Sequence, residues 1–168
     1  GEVYFAQRAG SGTDGGLTGT IVQANNPVTV INGNSSTQVP IGTGYCDTVF
    51  EVAFPLDAWG KSMPLVNVAD RPNGTYYRVL AAENGTTVSL DGAVQGTINR
   101  GEYIDFGPLP GNHLVSANKA IFTGQFITGI DAPGATTGDP SMSNVIPTEQ
   151  FLPGYTFATV GNGQFAVH

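Results

Sequence analysis

Residues able to do chemistry are few in this chain, and their spacing does not gather them. The two histidines, His113 and His168, stand 55 residues apart. No serine occupies a G-x-S-x-G elbow and no H-E-x-x-H pair occurs, so the usual nucleophile and zinc-hydrolase signatures are missing. Thirteen carboxylates are present. A glycosidase needs two of them flanking one bond, and no pair is singled out by its spacing. Asp47 and Asp139 each open a segment that leads to a proline, and both read as turn caps. Either could instead ligate calcium, but that ion takes about six to eight oxygens and no spaced set of carboxylates accompanies them. No cofactor or metal is therefore expected. His113, in the apolar stretch His113-Leu114-Val115, reads as a sheet residue with a partner. Gly138-Asp139-Pro140 is followed by Ser141 and reads as a turn. Cys46 is the only cysteine, so no disulfide forms within the chain. It reads as a small buried residue, with a bridge to a segment outside the chain as the alternative.

Whatever these side chains do, strands must position them. Gly 24 and Pro 11 in 168 residues, with only 11 % charged residues against about 25 % in an ordinary soluble domain, leave little material for long helices. Hydrophobic residues at 40 % suffice for a core and argue against disorder. The net charge of −7 argues against nucleic acid as a partner. No apolar run approaches the ~20 residues of a membrane span, and the first residues read as mature sequence or a fragment. Runs rich in Val, Ile, Thr and aromatics at 3–7, 27–32, 49–54, 76–82, 86–90 and 120–128 read as strands. Asn84-Gly85 signals a hairpin between two of them, and Asp91-Gly92 closes the next turn. Asn34, Asn73 and Asn84 each open an N-x-[ST] sequon, which marks exposed turns first and glycans second. The class is all-β.

The chain also resembles itself. Leu17-Thr18-Gly19 matches Leu109-Pro110-Gly111 at a separation of 92, and Asp47, Pro55, Trp59 and Val68 match Asp139, Pro147, Phe151 and Val160 at the same separation. Residues 24–28 match 117–121 at 93, and Gly1-Glu2 matches Gly101-Glu102 at 100. The expected organisation is two related sandwich-like β modules, residues 1–100 and a shortened copy over residues 101–168. Trp59, answered by Phe151, reads as a core aromatic. Residues peculiar to one copy are the better candidates for function, because the module can be built without them. They fall in two loops, 8–16 and 130–138, the first of which lacks the GK[ST] ending of a phosphate cradle. Arg8, Thr13 and Asp14 in the first loop and Asp131, Thr136 and Thr137 in the second are the candidate ligand contacts. Tyr45 and Tyr155 are loop aromatics suited to stacking on a sugar.

The ordered series Leu17-Thr18-Gly19-Thr20-Ile21, Ala24-Asn25-Asn26-Pro27-Val28, Cys46-Asp47 and Trp59-Gly60-Lys61 is followed by Tyr77-Arg78-Val79-Leu80, Gly138-Asp139-Pro140-Ser141-Met142 and Pro147-Thr148-Glu149-Gln150-Phe151. It resembles the IgGFc-binding protein N-terminal domain family of mucus proteins and bacterial surface proteins, over most of residues 16–160. The resemblance implies an extracellular or cell-surface adhesion module without catalysis. The expected partners are a host or prey surface glycan or glycoprotein, and no nucleic acid or membrane. The alternatives are a carbohydrate-binding module or a structural spacer without a pocket. A half-built second copy also implies a homo-oligomer, or neighbouring domains of a longer chain, covering its sheet edges.

Overall fold

The computed structural model describes residues 1–8 and 16–156. Within them the chain is all-β: nine strands and two single 3-10 turns, without an α-helix. The strands are β1 (Ile31–Thr37), β2 (Asp47–Val52), β3 (Gly60–Leu65), β4 (Thr75–Ala81), β5 (Thr86–Leu90), β6 (Ala93–Ile98), β7 (Tyr103–Leu109), β8 (His113–Ile127) and β9 (Ser141–Asn144). All pairings are antiparallel. β1 and β2 form a two-stranded ribbon, and the other strands share one sheet in the order β6-β5-β8-β4-β7, with β3 and β9 also paired to β8.

β8 organises this sheet. Its first half lies between β5 and β3, its second half between β4 and β9. Covered on both faces around Ile121, Phe122, Thr123 and Gly124, it is buried at four successive residues. The inward face carries Val115 and Ile121; on the other, Phe122 meets Trp59 at 5.4 Å and Phe54 edge-on at 6.0 Å between ring centroids. Trp59 Nε1 donates to Phe54 O at 3.1 Å, so the only Trp is a packing residue with its polar edge satisfied. β4 alternates strictly, with Thr75, Tyr77, Val79 and Ala81 buried, as period-2 geometry requires of a strand with one face on the core. Strands from both halves of the sequence thus enclose one core: Met63, Leu65, Tyr77, Val79, Val88, Val115 and Ile121 pack together.

Three differences from the sequence-based expectation have physical causes. Asn84-Gly85 does not close a hairpin: β4 and β5 are separated by β8. The Asn84 side chain instead accepts from Arg100 N at 3.1 Å, while Lys119 Nζ donates to Asn84 O at 2.6 Å. The true two-residue hairpin joins β5 to β6 through Asp91 (φ 50°) and Gly92 (φ 83°), the double positive φ of a type I′ turn. Residues 3–7 carry a strand-like sequence but form no ladder and are exposed, since no strand lies beside them. Cys46 is exposed, with Ser36 Oγ donating to its sulfur at 2.7 Å.

Two polar clusters fasten this frame. Arg78 and Asp105 face each other across the β4–β7 ladder and pair through two bonds of 2.7 Å. The same guanidinium lies 4.0 Å from the Tyr103 ring centroid and donates to Thr18 Oγ1 at 3.0 Å. That contact holds the turn at residues 16–19 on the sheet, where Gly19 packs so tightly that a Cβ would fall 2.1 Å from Gly101 O. The second cluster ties the β5–β6 turn to the start of β8. Asp91 Oδ2 faces His113 Nδ1 at 2.6 Å, Pro110 O faces Nε2 at 3.0 Å, and Asp91 Oδ1 accepts from Leu114 N at 2.9 Å.

Acceptors at both ring nitrogens stabilise the imidazolium form of His113. The Asp91 hydrogen bond raises its pKa, and the bond to His113 holds the Asp91 carboxyl below its ordinary range. A raised folded-state pKa gives stability that is complete below the unfolded value of ~6.5 and fades as pH rises through the folded value. The depressed Asp91 pKa gives stability present above the ordinary carboxylate range and lost as pH falls through its folded value. The tie is therefore strongest between those limits. The His113 ring protons should titrate in NMR above the ordinary histidine value, and Asp91→Asn should bring that midpoint down. An unchanged midpoint in the variant would show that Asp91 does not set it.

Candidate functional site

Three loops converge at one end of the sheet. The first, residues 38–45, is folded by Gln38, whose Nε2 donates to Thr43 O and whose Oε1 accepts from Gly42 N. The second, residues 66–74, leaves β3 and enters β4. Tyr77 Oη donates to Val66 O at 3.2 Å, and Gln125 Nε2 lies 3.0 Å from Val66 O, Thr75 Oγ1 and Tyr77 Oη. That amide has two hydrogens for three acceptors, so the cluster is shared and stays centred on Val66. Burial raises the Tyr77 pKa, keeping it a neutral donor. The third loop, residues 129–138, leaves β8. It is folded by Ala132 N to Gly129 O and Ala135 N to Ala132 O, both 3.0 Å.

Arg71 pins the loops together. Its side chain is 6 % exposed and reaches three backbone carbonyls: Nε to Thr128 O at 3.0 Å, Nη1 to Asp70 O at 3.0 Å and Nη2 to Thr137 O at 2.7 Å. No carboxylate forms an ion pair with it among the described residues. Carbonyl dipoles alone compensate a nearly buried cation, which is tolerable only while all three stay in place. Asn73 Nδ2 adds a bond to Pro133 O at 2.7 Å, and Gly129 N one to Val39 O at 3.1 Å. Each loop is thereby tied to another loop as well as to the sheet.

Two open clefts result. One, of about 670 Å³, is lined by Asn67, Asp70, Arg71, Pro72, Gly134 and Thr136, among others. The Asn67 Oδ1 atom is buried without a hydrogen-bond partner, while its Nδ2 donates to Arg71 O at 3.1 Å. The other, of about 470 Å³, sets Tyr76 among Pro40, Pro72, Pro108, Pro110 and Pro133. Prolines hold their φ fixed, so its walls are stiff and apolar.

Of the residues singled out by sequence, Asp131, Thr136 and Thr137 lie on the third loop, all exposed. Thr136 lines the first cleft, Thr137 supplies a carbonyl to Arg71, and the Asp131 carboxylate abuts Gly44, next to exposed Tyr45. Arg8 Nη1 donates to Gly16 O at 3.4 Å on the N-terminal segment. Tyr155 Oη accepts from Leu152 N at 2.9 Å, closing a local turn elsewhere in the chain. Thr13 and Asp14 lie outside the described residues. Sequence reasoning missed Arg71, Asn67 and Tyr76. Among six cations in the chain, Arg71 is set in an Asp-Arg-Pro-Asn-Gly turn, and that scarcity was the available signal.

Among the described residues no three His, Cys, Asp or Glu side chains converge as metal ligands, and no helix is long and apolar enough to cross a membrane. The site offers shape, hydrogen bonds and an apolar wall. No curated protein and no solved structure matches the chain. A family model does, over residues 1–167: the chain belongs to the IgGFc binding protein family, a family of extracellular binding modules.

Proposed function

We propose that this chain is a non-enzymatic adhesion module that holds an extracellular protein or glycoprotein against the loops fastened by Arg71. Family membership supports a binding module with protein partners. The observation that supports a contact at these loops is the locking of residues 66–74 and 129–138 by a buried guanidinium, beside a cleft walled by prolines. Loops ordered before binding lose little conformational entropy on it, which leaves more of the contact energy as affinity. The exposed Thr136 and Asp131 supply polar specificity around an apolar wall.

Immunoglobulin Fc is the first partner to test, since the family description names it, and a secreted mucin glycoprotein is the second. Surface plasmon resonance with the immobilised chain should detect one of them. Thr136→Arg combined with Asp131→Lys should weaken it at least about tenfold, because bulk and reversed charge at a contact cost about 1.4 kcal/mol or more. The melting temperature should hold, both positions being exposed. Binding that survives this double change would remove the loops from the contact. A carbohydrate-binding reading draws on Tyr76, the ring placed beside a cleft. It predicts that enzymatic deglycosylation of the partner abolishes binding.

A further inference from the structure

The two halves of the chain repeat each other bond for bond over a short stretch. In the β1–β2 ladder Ile31 faces Val52, Asn32 faces Glu51, Gly33 faces Phe50 and Asn34 faces Val49. In the β8–β9 ladder Gly124 faces Asn144, Gln125 faces Ser143, Phe126 faces Met142 and Ile127 faces Ser141. Each first-strand residue is shifted by 93 and each second-strand residue by 92, the separations read from the sequence. Ala53 N donates to Val30 O at 2.9 Å, as Val145 N does to Thr123 O at 2.9 Å. A 3-10 turn follows each ribbon, after Pro55 and after Pro147, and ends at Trp59 and at Phe151.

What differs is the cover. The first half of β8 carries Val115 and Ile121, both 0 % exposed, because β3 lies along it, with Met63 opposite Val115 and Gly60 opposite Ile121. The matching residues 20–30 form no ladder, and their Val22 and Val28 are 58 % and 60 % exposed. The stretch matching β3, residues 152–156, forms no ladder either, and there Leu152 and Tyr155, the counterparts of Gly60 and Met63, are 63 % and 65 % exposed.

We propose that residues 152–156 of one molecule pair with residues 20–28 of a second copy of this chain, head to tail, as β3 pairs with β8. In that register Tyr155 would face Val22 and Leu152 would face Val28. The docking continues an interface the chain already builds, since the segment leaves a 3-10 turn whose Glu149 caps β3 by accepting from Lys61 N at 2.7 Å. Pro153 stands where Lys61 stands, so that one tie has no counterpart. Charge favours the contact as well. In a chain of net charge −7, residues 17–46 and residues 150–156 contain no Asp, Glu, Lys or Arg, so the two segments meet without like-charge repulsion. A head-to-tail contact leaves one donor and one acceptor free, so it propagates to a ring or a filament.

Sedimentation velocity on the whole chain tests this. The average mass of the unmodified chain should rise with concentration. Val22→Asp with Val28→Asp removes the acceptor, and Leu152→Asp with Tyr155→Asp removes the donor. Each variant alone should sediment as a monomer, with the parent's melting temperature at concentrations where the parent too is monomeric, the altered side chains being exposed. Their equimolar mixture should form a dimer and nothing larger, because each still carries one intact half. A wild-type monomer at every concentration, association that persists in either variant alone, or a mixture that stays monomeric would overturn the proposal. None of these outcomes depends on the loops around Arg71, so failure here leaves partner binding to stand or fall by itself.

Discussion

Arg71→Met should lower the stability of the chain by about 3 kcal/mol and abolish partner binding. The substitution keeps most of the apolar stem but leaves Thr128 O, Asp70 O and Thr137 O without their donor. A buried carbonyl stripped of its partner costs about 1–3 kcal/mol. Removing a desolvated cation returns part of that, and water reaching the more exposed carbonyls returns more, which is why the total falls below the sum of three. Arg71→Lys should recover only part of the loss, since one ammonium cannot span three carbonyls held apart by a planar fork. Urea unfolding gives the stability change, and limited proteolysis within residues 129–138 reports release of the loop. A methionine variant as stable as the parent, with the loop still protected, would show that the guanidinium is incidental to the site.

The same residue marks the limit of what the sequence could tell. Asp70-Arg71-Pro72-Asn73-Gly74 reads as a solvated turn, and every local signal in it supports that reading. Arg71 becomes buried only because the loop after β8 folds back over it from more than fifty positions away, a long-range event that no window of local sequence records. That residues 130–138 form a loop was legible, from their Pro, Gly and Thr content; that they bind anything was not. Local patterns also found β4, β5 and the second half of β8, where β-branched and aromatic residues cluster. They failed at β3, whose Lys61 and Pro64 look unlike a strand; β3 survives because it packs along β8 and buries Met63 and Leu65. The Asn84-Gly85 hairpin failed for the opposite reason. The chain does turn at Asn84-Gly85, with only Gly85 at positive φ, but β8 lies between the two strands it would have joined.

Ile121→Ala should cost about 2–5 kcal/mol, the usual range for truncating a fully buried aliphatic side chain, and Val28→Ala less than about 0.5 kcal/mol. The two positions match in sequence, so local propensity predicts similar effects. Ile121 is 0 % exposed and lies in register with Ala81 of β4 and Gly60 of β3. Truncation there opens a cavity that flanking backbone on both sides cannot close, in a fold whose whole stability is on the order of 5–15 kcal/mol. Val28 has no strand beside it and loses only surface already in water. Thermal and urea unfolding at low concentration should separate the two variants by several kcal/mol. At concentrations where head-to-tail pairing sets in, the Val28 variant should begin to fall behind the parent in melting temperature, because association stabilises only the chain whose acceptor surface is intact. Equal effects at low concentration would mean that residues 20–30 already have an intramolecular partner, and the head-to-tail contact would lose its acceptor.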